Sequence, residues 1–370
     1  MVDPDPRTAG SGLRRLADAG IDVSVGVEGA ACQALNSPFV HRVSHKSCYG
    51  VLHCPLDGSS TGSESPEAVE CTSAVLREAD ELTVPPDVLS YVEYDAIVVE
   101  GPQGVRKLAA CLSALPPMTL RVVIVGGSPS GSGGGGGGGG LDAELGGVLE
   151  SPLWTDSPER TIVFVPAVAV QVRHNRSGGL ARAALEARGV SIVDYYPPPA
   201  VAAPPRFSPA GHEAGASISE DAAAAMAGAA ATAVSRELYR RGMLCTAWEV
   251  GPVMAAVAAG RGHIQRALVR RRPRRGEIGG ADTSAEGGGG VGSSGGGRDQ
   301  AEVVGAAGGG VPSLEEEEKE ALRVIRRLSG REGVRVRRSG RGIPSEAGAR
   351  SFIEVLLPAP EVDTPAAFAS

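Results

Sequence analysis

The apolar positions of the chain follow two different periods. Asp95-Ala96-Ile97-Val98-Val99, Leu120-Arg121-Val122-Val123-Ile124-Val125 and Thr161-Ile162-Val163-Phe164-Val165 are short, nearly continuous apolar runs. Such runs predict strands buried on both faces. Between and after them the spacing becomes helical. Positions 181–188 predict a helix closed by Gly189 and followed by a strand at 190–193. The alanine-rich stretch 221–241 predicts a long helix, 246–249 a strand and 252–259 a helix, with a strand-turn-helix joint at Val250-Gly251. A helix over 314–328 and strands near 333–337 and 351–357 complete the pattern. At the start, Leu13, Leu16 and Ala17 recur at helical spacing and Gly20 closes the turn, 21–25 alternates like a strand, and a helix is expected over 28–36. Strands alternating with helices predict an α/β fold with a mostly parallel central sheet covered on both faces.

Composition divides this pattern into blocks. Of 370 residues, 53 are Gly and 27 Pro, and they are concentrated in a few places. Residues 126–140 end in an octaglycine, 276–310 are almost all Gly, Ala, Ser and acid, and 200–216 are punctuated by proline. All three are expected to be flexible connections with few side chains to bury. The formal charge of −7 gives no global reason to expect nucleic acid as a partner, and no run is apolar and long enough to span a bilayer. Cys32, Cys48, Cys54, Cys71, Cys111 and Cys245 form no CxxC pair, and no secretory or transit segment opens the chain. They read as reduced thiols of a soluble, intracellular protein. The Asp3-Pro4-Asp5-Pro6 opening reads as the exit of a folded unit whose beginning lies upstream.

Four places could carry chemistry. The Gly126-Gly127-Ser128-Pro129-Ser130-Gly131 turn follows a buried strand, where a phosphate cradle belongs, but polyglycine rather than a helix follows it. His45, Cys48, His53 and Cys54 are soft metal ligands by type, yet on a strand His53 and Cys54 point to opposite faces, and packing positions are the simpler reading. The run Arg270-Arg271-Arg272-Pro273-Arg274-Arg275 could hold a phosphate or be a solvated loop. It has no interleaved aromatic residues for stacking on bases. Trp248-Glu249-Val250-Gly251-Pro252-Val253-Met254 is the most informative. A carboxylate at the end of a buried strand, then glycine and a helix start, is the geometry of an open-sheet ligand site. There Glu249 could accept hydrogen bonds from a heterocycle or ribose, or merely cap the turn.

Several of these segments together resemble the bifunctional riboflavin-biosynthesis deaminase/reductase family (RibD-like). Asp3-Pro4-Asp5-Pro6, Ala9-Gly10-Ser11-Gly12 and Leu16-Ala17-Asp18-Ala19-Gly20-Ile21-Asp22-Val23-Ser24-Val25-Gly26-Val27 resemble the end of its deaminase domain, and Leu35-Asn36-Ser37-Pro38-Phe39 the linker that follows. Leu56-Asp57-Gly58 looks like the family's first reductase strand and "SLDG" turn, and Glu249-x-Gly251-Pro252 like its "EGGP" motif. The resemblance implies the following domains: 1–44 a deaminase remnant and linker; 45–275 a dihydrofolate-reductase-like reductase domain with the 126–140 insertion; 276–310 a disordered loop; 311–358 the last helix and strands; 359–370 a tail.

What the resemblance implies chemically is an NADPH-dependent oxidoreductase. It would reduce 5-amino-6-(5-phosphoribosylamino)uracil, a phosphoribosylamino-pyrimidine, to the ribitylamino product, at normal or reduced rate. Glu249 would hold substrate, Gly251, Pro252, Val253 and Met254 would line the cofactor phosphates, and Cys54 and Asp57 would flank the nicotinamide strand. The family's zinc motifs precede the segment matched here, so neither zinc nor deaminase activity is implied for this chain. A homodimer and a cytoplasmic or plastid location are compatible with the family. The sequence also departs from the family pattern. Residues 100–108 lack its aspartate pair, the lysine before the "SLDG" turn is replaced near Val51, and His263-Ile264-Gln265-Arg266 stands where an aspartate is usual. These departures imply the alternative of a catalytically inert reductase-like module.

Overall fold

The computed structural model describes residues 2–55, 94–110, 112, 115–126, 141–167, 179–197, 220–270, 313–336 and 352–358. Expectations for Cys71, Cys111, Asp57, the octaglycine, the 200–216 and 276–310 connections, the arginines beyond Arg270 and the 359–370 tail lie outside these residues.

Among the described residues nine strands form one sheet: β1 (Tyr49–Pro55), β2 (Ala96–Glu100), β3 (Leu120–Ile124), β4 (Thr161–Pro166), β5 (Ser191–Tyr195), β6 (Cys245–Glu249), β7 (Arg266–Arg270), β8 (Arg335–Val336) and β9 (Phe352–Leu356). Their spatial order is β5-β4-β3-β2-β6-β1-β7-β9-β8. All neighbours from β5 to β7 are parallel, while β9 is antiparallel to both β7 and β8. This is the expected α/β class with a mostly parallel sheet. The continuous apolar runs became β2, β3 and β4 because each is buried on both faces. Val98, Val122, Ile162 and Phe164 face one core and Ile97, Val99, Val123 and Val163 the other.

The first core is covered by α7 (Glu220–Arg240), α8 (Pro252–Gly260) and α9 (Leu314–Ser329), through residues such as Ala227, Leu238, Met254 and Ile325. The second lies under α4 (Gly101–Ala110), α5 (Leu141–Leu145) and α6 (Gly179–Ala187), with Val105, Leu108, Leu145, Trp154 and Leu185 fully buried. Burying one such large side chain stabilises the fold by about 1.5–3 kcal/mol relative to leaving it exposed. α9 starts with a full capping box, in which Ser313 and Glu316 each bond the other's backbone N–H, and ends at Gly330 in the left-handed region.

The N-terminal segment behaves differently. Helices α1 (Ser11–Asp18) and α2 (Gly29–Leu35) form near where expected, but α1 buries no residue. The expected strand at 21–25 is absent: this segment has no regular structure, and Ile21 and Val25 are each 53% exposed. Alternating apolar residues make a strand only where another strand's backbone pairs with them. An unexpected helix, α3 (Ser37–His45), ties this segment to the sheet layer. Its Arg42 donates to the Met243 and Tyr239 carbonyls at 2.9 and 3.0 Å and lies over the Tyr239 ring.

Candidate functional site

In an open parallel sheet, ligands bind beyond the carboxyl ends of the strands where the order reverses. Here the reversal falls at β6, which inserts between β2 and β1. Its carboxyl end is the predicted joint. Glu249 closes β6, Gly251 is the N-cap residue of α8, and Pro252 occupies the first helical position, where its missing N–H costs nothing. The first turn of such a helix offers backbone N–H groups without intrahelical partners.

The structure separates the residues assigned to this site. Gly251 and Pro252 form the turn itself. Met254 points its side chain into the core and Val253 packs against that core, so only their backbone faces the turn. Cys54 lies on β1 in the same helix-covered core, as does Trp248. Glu249, one residue after Trp248, projects to the opposite face and is buried. The Gly251–Met254 turn and Glu249 therefore address the strand end from two sides, and Cys54 belongs to the α8 side. His53 alternates with Cys54, so the two do not converge on one ion. Among the described residues no group of three or more His, Cys, Asp or Glu side chains has metal-ligand geometry.

Around Glu249 the sheet carries a buried polar group that sequence reasoning did not gather. His53 Nε2 lies 3.0 Å from the Tyr94 hydroxyl, and its Nδ1 is buried without a partner among the described residues. Burial, aided by the Arg266 charge, lowers the His53 pKa to about 3, which keeps the ring neutral. Burial likewise raises Tyr94, with Cys245 and Glu249 adding to the rise and Arg266 opposing it. Arg266 itself pairs with Glu354 across β7 and β9 at 2.9 Å.

Three further residues meet the strand ends. Glu100, the last residue of β2, accepts the Gly251 N–H at 2.8 Å. Glu144 of α5 accepts the Gly126 N–H at 2.8 Å, beyond the end of β3. The Tyr195 hydroxyl donates to the Val125 carbonyl at 3.0 Å. Burial raises the Glu100 pKa, the Gly251 N–H opposes that rise, and the Glu144 charge adds to it. Burial raises Glu144 too, against the Gly126 N–H. The signal for Glu100 was present in the sequence, as an acid closing a buried strand ahead of Gly101-Pro102. Its partner lies 151 positions away, however, and no local pattern reports that distance.

The chain is thus of the open, mostly parallel α/β class, with a glycine-proline helix start at the sheet's reversal point. No protein-family model matches the chain. Short stretches do match curated relatives. One is the "Riboflavin biosynthesis protein RibD" of Synechocystis sp., 53% identical over 60 residues, 16% of this chain and 16% of that protein. Another is the "Riboflavin biosynthesis protein PYRD, chloroplastic" of Arabidopsis thaliana, 54% identical over 43 residues, 12% and 10% of the two. Over these stretches the chain is similar to RibD-like proteins, and it spans only about a sixth of the first of these relatives and less of the second. Among solved structures, Acinetobacter baumannii RibD in form 1 is similar at 16% identity with a TM-score of 0.41, over 74% of this chain and 59% of that one. A Thermotoga maritima diaminohydroxyphosphoribosylaminopyrimidine deaminase/5-amino-6-(5-phosphoribosylamino)uracil reductase is similar at 15% with a TM-score of 0.36, over 72% and 56%. No described helix is long and apolar enough to cross a membrane.

Proposed function

We propose that the chain acts in riboflavin biosynthesis as an NADPH-dependent reductase of 5-amino-6-(5-phosphoribosylamino)uracil, with the β6–α8 joint as its site. The observation that supports this most is the placement of Glu249-x-Gly251-Pro252 at the sheet's reversal point, with Glu249 buried on one side of the strand end and the helix start on the other. The local identities to riboflavin-biosynthesis proteins give the chemistry a direction.

The donors fit a phosphate in kind: a glycine N-cap without a Cβ, whose N–H meets Glu100, followed by the N–H groups of a helix's first turn. NADPH, when bound, supplies the hydride. The Gly251–Met254 backbone would hold its phosphates, and Glu249 would accept hydrogen bonds from the substrate and fix its orientation. Asp57 and Cys54 stay assigned to the nicotinamide strand. Near-attack positioning of this kind governs the rate, and small misplacements cost on the order of a hundredfold. Calorimetric titration of the full chain with NADPH, then an NADPH-oxidation assay with the phosphoribosylamino-pyrimidine, tests the reading. Binding with turnover is expected, and binding should be lost in Gly251→Asp, which sets a carboxylate against the phosphate.

A second reading, an inert reductase-like module, draws on α4. That helix starts directly after β2 and carries no aspartate where the family pattern has a pair. NADPH binding without turnover would select it.

A further inference from the structure

The N–H group that a cofactor phosphate would need at the start of α8 already has an anionic partner. Glu100 Oε2 accepts it at 2.8 Å. A Cβ on Gly251 would lie 3.1 Å from that same oxygen, so the space in front of the turn is filled. We propose that Glu100 is an intramolecular latch, its carboxylate holding the anion position at the β6–α8 joint until a proton or an incoming phosphate displaces it. This inference rests on the reading of that joint as a phosphate site.

The surroundings suit a contact that can release. Glu100 ends a strand fixed on both sides, by β3 and β6, so its backbone does not move and only its side chain need swing. The titratable groups acting at this edge are Glu144, from α5, and Tyr195, from β5. Glu144 repels the Glu100 charge, and Tyr195 is kept neutral by burial together with both glutamates. Burial disfavours the charged carboxylate that the Gly251 N–H favours. Protonation removes the charge and roughly halves the strength of the hydrogen bond, because charge-assisted bonds are about twice as strong as neutral ones. A phosphate arriving against a closed latch meets a like charge at hydrogen-bond range; against an open one it meets only donors.

The test uses the full chain, with inorganic pyrophosphate and NADPH as separate probes in calorimetry. Glu100→Ala should bind both roughly tenfold more tightly than the unmutated chain at neutral pH, an anion's usual preference for a helix start plus the removed repulsion. Glu100→Gln, which keeps the side chain's shape, should fall between and serves if the alanine variant is unstable. The ratio of variant to unmutated affinity should shrink toward one as acid neutralises Glu100, and the Gly251 amide resonance should move over the same pH range. Equal affinities at neutral pH, or no pyrophosphate binding to either folded variant, overturns the latch. The two ideas fail differently. A gain for pyrophosphate with no NADPH binding to any of the three chains upholds the latch and sinks the cofactor, while NADPH and pyrophosphate each bound equally by all three chains uphold the cofactor and sink the latch.

Discussion

The ends of β3 and β6 meet the same problem with the same kind of side chain, yet they are built to opposite tolerances. Gly126 stands at φ 86°, where a side chain is strained, and a Cβ there would come within 2.9 Å of Pro166 Cγ. Its N–H is held by Glu144 and its preceding carbonyl by Tyr195, so the turn is gripped from both sides. Gly251 stands at φ −62°, open to any residue, and its closest would-be neighbour is the far end of the Glu100 side chain. A carboxylate on a glycine N–H is thus part of a rigid corner at β3 and a movable stopper at β6. Similar hydrogen-bond lengths hide this difference; backbone conformation and the identity of the neighbour reveal it.

Substitutions should expose the contrast in a graded way. Gly126→Ala should cost the most, about 2–3 kcal/mol, combining a left-handed alanine with the Pro166 clash. Urea denaturation measures it, and a loss under 1 kcal/mol would mean the corner is not rigid. Tyr195→Phe should cost about 1–2 kcal/mol by stripping the buried Val125 carbonyl of its donor. Gly251→Ala should cost at most about 1 kcal/mol, the penalty of a poorer N-cap, because Glu100 can swing aside. Equal losses at the two glycines would mean that both corners are equally rigid.

The smallest effect concerns pH. The Glu144 carboxyl titrates above its ordinary value of 4.5 in the folded chain. The folded state therefore takes up this proton first, and the group's contribution declines as pH rises from that ordinary value through the folded one. Glu144→Gln should flatten that decline in the urea midpoint, with the two proteins converging in acid. A difference that instead grows in acid would reverse the sign and the cause.

Much of the sheet was legible because burial on both faces leaves a dense apolar run, as at Ile97-Val98-Val99. β7 was not, since Arg266 and Arg270 flank its apolar residues and the run reads as the start of a basic loop. Its arginines are tolerated because one faces Glu354 on β9, a partner invisible to local patterning. α4 hid behind Gly101-Pro102-Gln103-Gly104, a string that reads as a turn. Gly104 is there because a Cβ would lie 2.6 Å from Val99 Cβ, so the helix packs close against its own strand. The segment 21–25 misled in the other direction, with strand-like alternation and no strand beside it. The joint at Gly251 was readable because glycine and proline announce a helix start locally. Glu100, Glu144 and Tyr195 were not, because what matters about each is a contact made across the fold.

The insertion of β6 between β1 and β2 also sets a clock. The backbone of Tyr49 and the side chain of Thr246 meet across 197 positions of sequence. During synthesis at about 5–20 residues per second, the slot between the first two strands stays empty for roughly 7–30 s. Through that interval two buried-type strand edges stand ready to pair with the wrong partner. A nascent chain of this design depends on its later residues to close its earliest gap, and slowed translation across 101–244 should raise misfolding more than the same delay placed after β6.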